Sequence, residues 1–118
     1  MSTSSESPAT AALLTPGGRG AVATIRIAGG LDAVSPVVDE FFSAANHRSL
    51  ADQHINRIVF GHWGGEAEID REDVVLCRTG DNSLEIHCHG GDAATRRLFA
   101  NLTSGDSKIR CVTWQEQS

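Results

Sequence analysis

A chain of 118 residues, 40% hydrophobic and 21% charged, has room for one ordinary soluble domain with its own core. No apolar run approaches the roughly 20 residues of a membrane-spanning helix, which excludes that class of membrane protein. A formal charge of -5 gives no general attraction to a phosphate backbone, so contact with RNA requires a local basic patch or a partner.

The opening MSTSSESPAT has neither a basic start nor an apolar segment, so residues 1–9 read as a disordered tail rather than a secretory signal. The domain is expected over 10–118. TAALLT at 10–15 suits a short strand, and PGGRG at 16–20 a turn; it lacks the lysine and the spacing of a phosphate-cradling loop. In AVATIRIAG, Ala23, Ile25 and Ile27 share one face of a second strand while Val22, Thr24 and Arg26 share the other. Arg26 is thus an exceptional charge on a strand.

From Leu31 to Ala45, Val34, Val37, Val38, Phe41 and Phe42 follow helical spacing and predict one apolar stripe. Asp32 can cap that helix, or Ser35 can do so with Pro36 at the first helical position. HRSLADQH at 47–54 reads as a polar loop, NRIVFGHWG as a third strand and EDVVLCR as a fourth. TGDN at 79–82 then makes a tight hairpin connection into SLEIHCHGG.

In that fifth strand Leu84, Ile86 and Cys88 point one way, and Ser83, Glu85, His87 and His89 the other. DAATRRLFANL follows as a helix with Asp92 as its N-cap and Ala94, Leu98 and Leu102 inward; Arg96 and Arg97 fall on its solvated side. KIRCVTW alternates as a last strand. The order β-β-α-β-β-β-α-β predicts an α+β domain with two helices on a mixed, mostly antiparallel sheet.

Cys77, Cys88 and Cys111 lie far apart, each in a strand-like run, and read as buried free thiols in a reducing, cytoplasmic compartment. Alternation sets Cys88 opposite His87 and His89, which argues against a Cys–His nucleophile. Two histidines and Glu85 on one face have the donor types for a metal, but no fourth ligand is evident and hydrogen bonding is the preferred role. No metal is expected.

LLTPGGRGAVATIRIAGG and, about sixty residues later, LEIHCHGG resemble the N-terminal domain of the MnmE (TrmE) tRNA-modifying GTPase family, over roughly residues 10 to 110. The resemblance implies a tetrahydrofolate-binding, homodimerising module, similar in fold to the folate domain of the glycine-cleavage T-protein. It implies 5-formyl-tetrahydrofolate or a related folate held between two copies. The folate-binding arginine and glutamate of the family fall on Arg26 and Glu85, with His87 and His89 along the folate-side wall and Arg19 in the glycine-rich turn as a further contact.

In full-length members this domain serves a GTPase domain and tRNA modified at the wobble uridine. GxxxxGK[ST] occurs nowhere in these 118 residues, so the chain is not expected to be an enzyme by itself. Where the family has a longer loop between the fourth and fifth strands, this chain has TGDNS. Two alternatives to a folate module remain: a structural dimerisation remnant that no longer binds folate, and a small enzyme built on Glu85, His87 and His89.

Overall fold

The computed structural model describes residues 9–15, 22–64, 71–89 and 91–117. Residues 1–8 of the expected tail and the PGGRG turn, with Arg19, lie outside them, whereas Ala9, assigned to that tail, is buried as the first residue of the sheet. Strands β1 (Ala9–Leu13), β2 (Ala23–Gly29), β3 (Phe42–Ala44), β4 (Ile58–Trp63), β5 (Glu72–Gly80), β6 (Ser83–Cys88) and β7 (Ile109–Cys111) form one sheet in the order β3-β4-β5-β6-β2-β1-β7. Every neighbouring pair is antiparallel except β1 with β7. Helices α1 (Leu31–Phe41), α2 (Gly91–Leu102) and the short α3 (Trp114–Gln117) complete the α+β domain. No helix among the described residues is long and apolar enough to cross a membrane.

Alternation sorts the side chains as the sequence predicts. Ile25 and Ile27 of β2, Leu84, Ile86 and Cys88 of β6, and Val74 and Leu76 of β5 are buried in one cluster. Val34, Val37 and Val38 of α1 and Leu98 and Leu102 of α2 close it from the helical layer. Burying such side chains contributes roughly 1.5–3 kcal/mol each, which is what holds the helices to the sheet.

Four further expectations are corrected. The first helix stops at Phe41, because Phe42 begins β3 and pairs with Trp63. The Phe42 ring lies where a Cβ on Gly61 would stand, 2.6 Å from its Cε1, and Ser43 O is nearer still. A glycine in β4 thus lets the edge strand close in. Secondly, neither Asp32 nor Ser35 caps α1: its N-cap is Gly30, with no side-chain cap bond, and Pro36 lies inside the helix. The third is the 47–54 loop, which contains a 3-10 turn over Leu50–Asp52 with Leu50 and Gln53 buried. Lastly, the final strand is only Ile109–Cys111, since Trp114–Gln117 is helical.

The terminal helix begins with a reciprocal cap. Glu116 N donates to Thr113 Oγ1 at 3.2 Å, and Thr113 N donates to Glu116 Oε1 at 2.9 Å. TWQE is the Thr-x-x-Glu pattern of a capping box. Gln117 then reaches back across β1, its Nε2 donating to Thr10 Oγ1 at 3.2 Å and to Arg26 O at 3.0 Å.

Candidate functional site

Helices α1 and α2 cover one face of the sheet, and the candidate site lies on the other, where α3 is tied to Thr10 and Arg26 O through Gln117. Pairing aligns side chains in rows across strands. One row runs Ile58, Cys77, Glu85, Arg26, Ala12 from β4 to β1, and the next runs Phe60, Val75, His87, Thr24. Arg26 and Glu85, singled out as charges on strands, are therefore direct cross-strand neighbours.

Their geometry is close but not closed. Arg26 Nη2 stands 4.0 Å from Glu85 Oε2, with the side chains 43% and 25% exposed. At that separation the two attract without a hydrogen bond, and such half-exposed pairs contribute about 0–1 kcal/mol, so separating them costs little. Glu85 Oε1 lies 3.5 Å from His87 Nε2, and His87 Nδ1 is 2.9 Å from Thr24 Oγ1. A Thr24 O–H donating to Nδ1 leaves the ring proton on Nε2, the side of His87 that faces the carboxylate. His87 is thereby tied to Thr24 beside Glu85.

The surroundings are half apolar. Phe60 and Ile58 of β4 are 65% and 62% exposed on this face, beside half-buried Val75. A polar edge of carboxylate and guanidinium next to an apolar surface suits a flat heterocycle whose rim carries donors and acceptors.

Gln117 escaped the sequence reading. Its Nε2 is fully used on β1 and β2, yet its Oε1 is buried without a hydrogen-bond partner. The signal was available in Thr113-x-x-Glu116, which marks a helix start where alternation suggested a strand.

Of the other expected contacts, His89 follows the end of β6, is exposed and has an interaction of its own. Arg19 lies outside the described residues. Among the described residues no group of three His, Cys, Asp or Glu side chains has an arrangement suited to a metal ion. All three cysteines are free thiols, but only Cys88 is buried; Cys77 is half-buried and Cys111 is exposed on edge strand β7, which corrects the expectation of three buried thiols. Burial pushes the Cys88 thiol up, Glu72 adds to the rise, and a hydrogen bond with Thr95 opposes it.

Residues 9–112 match the family model described as GTP-binding protein TrmE N-terminus. Among curated relatives, tRNA modification GTPase MnmE of Listeria innocua is 33% identical over 105 residues, covering 84% of this chain and 22% of the relative. The proteins of the same name from Protochlamydia amoebophila and Christiangramia forsetii are 35% and 36% identical, covering 75% and 77% of this chain and 20% of each relative. The chain thus spans about a fifth of the length of these relatives.

Proposed function

This chain belongs to the family of the TrmE N-terminus, and on that premise we propose that it is a folate-binding and homodimerising module serving tRNA modification, in a cytoplasmic setting. The ligand is a reduced folate of the 5-formyl-tetrahydrofolate kind. The observation that carries the reading is the Arg26–Glu85 pair, set side by side on the uncovered face with unused hydrogen-bonding capacity.

A pterin presents a 2-amino group and an adjacent ring N–H, and one carboxylate accepts from both in a two-pronged contact. Glu85 has the free oxygen lone pairs for it. Arg26 then faces a carbonyl or carboxylate of the ligand, and the apolar surface of Val75 and Phe60 takes a ring face. The face is shallow, so a second copy opposite it supplies the cover that one protomer lacks. Dimerisation is in this reading part of binding. Activity on tRNA belongs to the assembly with a GTPase domain; this domain contributes the folate.

One observation favours a second reading. The β5–β6 connection is a two-residue turn at Asp81–Asn82, with a bulge between Arg78 and Gly80. It is too short to fold over the Glu85 row, and losing a covering wall leaves part of a ligand solvated and weakens binding. On that reading the domain is a dimerising scaffold without folate.

Calorimetric titration with 5-formyl-tetrahydrofolate separates the two. We expect saturable heat with the natural chain and at least a tenfold weaker association for Glu85→Ala, from the loss of a charged hydrogen-bond pair worth roughly 1.5–3 kcal/mol. No heat at millimolar ligand overturns folate binding and leaves the scaffold. Sedimentation equilibrium on the same samples reads the dimer.

A further inference from the structure

The segment joining β3 to β4 builds a second concave site that the folate reading leaves unused. A pocket of about 330 Å³ is lined by Asn46, Arg48, Gln53, His54 and Arg57. Two guanidiniums and an imidazole line it, with no carboxylate among its walls, in a chain whose net charge is -5. Neither Arg48 nor Arg57 forms an ion pair with a carboxylate among the described residues.

The floor of the pocket is built. Gln53 is 4% exposed, and its side-chain amide exchanges two hydrogen bonds with that of Asn46, at 2.9 and 3.0 Å, while also donating to Arg48 O at 3.0 Å. That triple anchorage consumes the amide groups and leaves the cations as the uncommitted donors. His47 and Asn56, with φ of 63° and 68°, hold left-handed backbone next to Asn46/Arg48 and Arg57. Such conformations are uncommon outside glycine and persist where the surroundings impose them.

Behind the floor lies a third positive charge. Arg78 is 8% exposed; its Nη1 donates to Gln53 O at 3.0 Å and meets Ala51 O at 3.5 Å, while its Nε is buried without a partner. No described carboxylate comes within 4 Å of it. A buried cation matched only by carbonyl dipoles leaves a net positive field at that wall.

We propose that this pocket binds a phosphate group through Arg48 and Arg57, with Arg78 adding to the field and a His54 ring N–H as a further donor. Guanidinium forks match phosphate oxygens in pairs. The lining offers no aromatic ring besides His54, so recognition stops at the phosphate and carries no base preference. The source is then either the backbone of a nucleic-acid strand or a free phosphate ester. In the first case the pocket supplies the local basic patch that an acidic chain needs to meet RNA.

The test uses the 118-residue chain and its Arg48→Gln/Arg57→Gln variant, two exposed positions whose exchange is expected to leave the melting temperature unchanged. Amide spectra are recorded during titration with inorganic phosphate and, separately, with a single-stranded RNA dodecamer. Saturable shifts confined to residues 46–57, weakened at least tenfold in the double variant, are the expected result. If RNA is the source, its affinity falls with salt at a log–log slope of about -1.4, the value for two phosphates on a single strand; a response to inorganic phosphate alone assigns the site to a free ester.

No saturable shift with either probe at low salt overturns the proposal, as does a response that the double variant retains. The folate titration is independent, since Glu85 and Arg26 are unchanged in this variant. Loss of one activity therefore says nothing against the other.

Discussion

At the scale of single residues, the two faces of β6 set two kinds of chemistry. Cys88 is buried under α2 and its thiol is held protonated, whereas Cys111 is exposed. Thiolate is the reactive form, so the three thiols should react with a disulfide reagent at pH 8 in the order Cys111, Cys77, Cys88. We expect Cys88 to label only after denaturant unfolds the domain, which peptide mass mapping will read; labelling of Cys88 at the rate of Cys111 would contradict the burial described. The linkage sign follows. A folded value above the ordinary 9.0 means that the native thiol holds its proton longer than the unfolded one, so its share of stability is intact below that pH and declines above it. This face was legible from alternation alone, as were Arg26 and Glu85. Their pairing across β2 and β6 was not, because adjacency in a sheet depends on strand order and register.

At the scale of elements, periodicity found every long segment and β7, but missed β3 and α3. β3 has three residues and α3 four, too few for a period to show. Phe42 satisfies the helical stripe in sequence and leaves it in space, because pairing with Trp63 over Gly61 buries its ring better than one more helical turn. The end of the chain shows local chemistry overriding alternation. The Glu116 carboxylate is held below its ordinary 4.5 first by the Thr113 backbone N–H, then by the Thr113 hydroxyl, with Arg110 assisting. A carboxylate whose folded value is lowered stabilises the fold above its unfolded value, and this is lost as pH falls through the folded one. Acidification below about 4.5 should therefore loosen α3 ahead of the core and free Gln117 from Arg26 O. The Gln117 side-chain amide resonances should move towards random-coil positions in that window, and Glu116→Ala should show the loosened state at neutral pH. Unchanged resonances down to the unfolding of the core would mean that the capping box does not hold the helix.

At the scale of the molecule, one side of a single sheet carries the core and the other the candidate chemistry, so stability and function should respond to different substitutions on the same strand. β4 provides the sharpest contrast, since Trp63 is 0% and Phe60 is 65% exposed. Trp63 joins both α1 and α2 to β4: its ring stacks on Phe41 of α1 with centroids 5.7 Å apart, and its Nε1 donates to Asn101 of α2 at 3.0 Å. Trp63→Ala removes the stack, leaves Asn101 Oδ1 without that donor and opens a cavity, a loss of about 3–5 kcal/mol. That is a large part of the roughly 5–15 kcal/mol that holds a domain of this size together. Phe60→Ala removes a ring already in water and should change monomer stability by only about 0.5 kcal/mol. Urea unfolding of both variants at low protein concentration, where association does not contribute, measures the difference directly. Equal losses in the two variants would show that the uncovered face is part of the folding core, and the separation of a stabilising from a binding face would then fail.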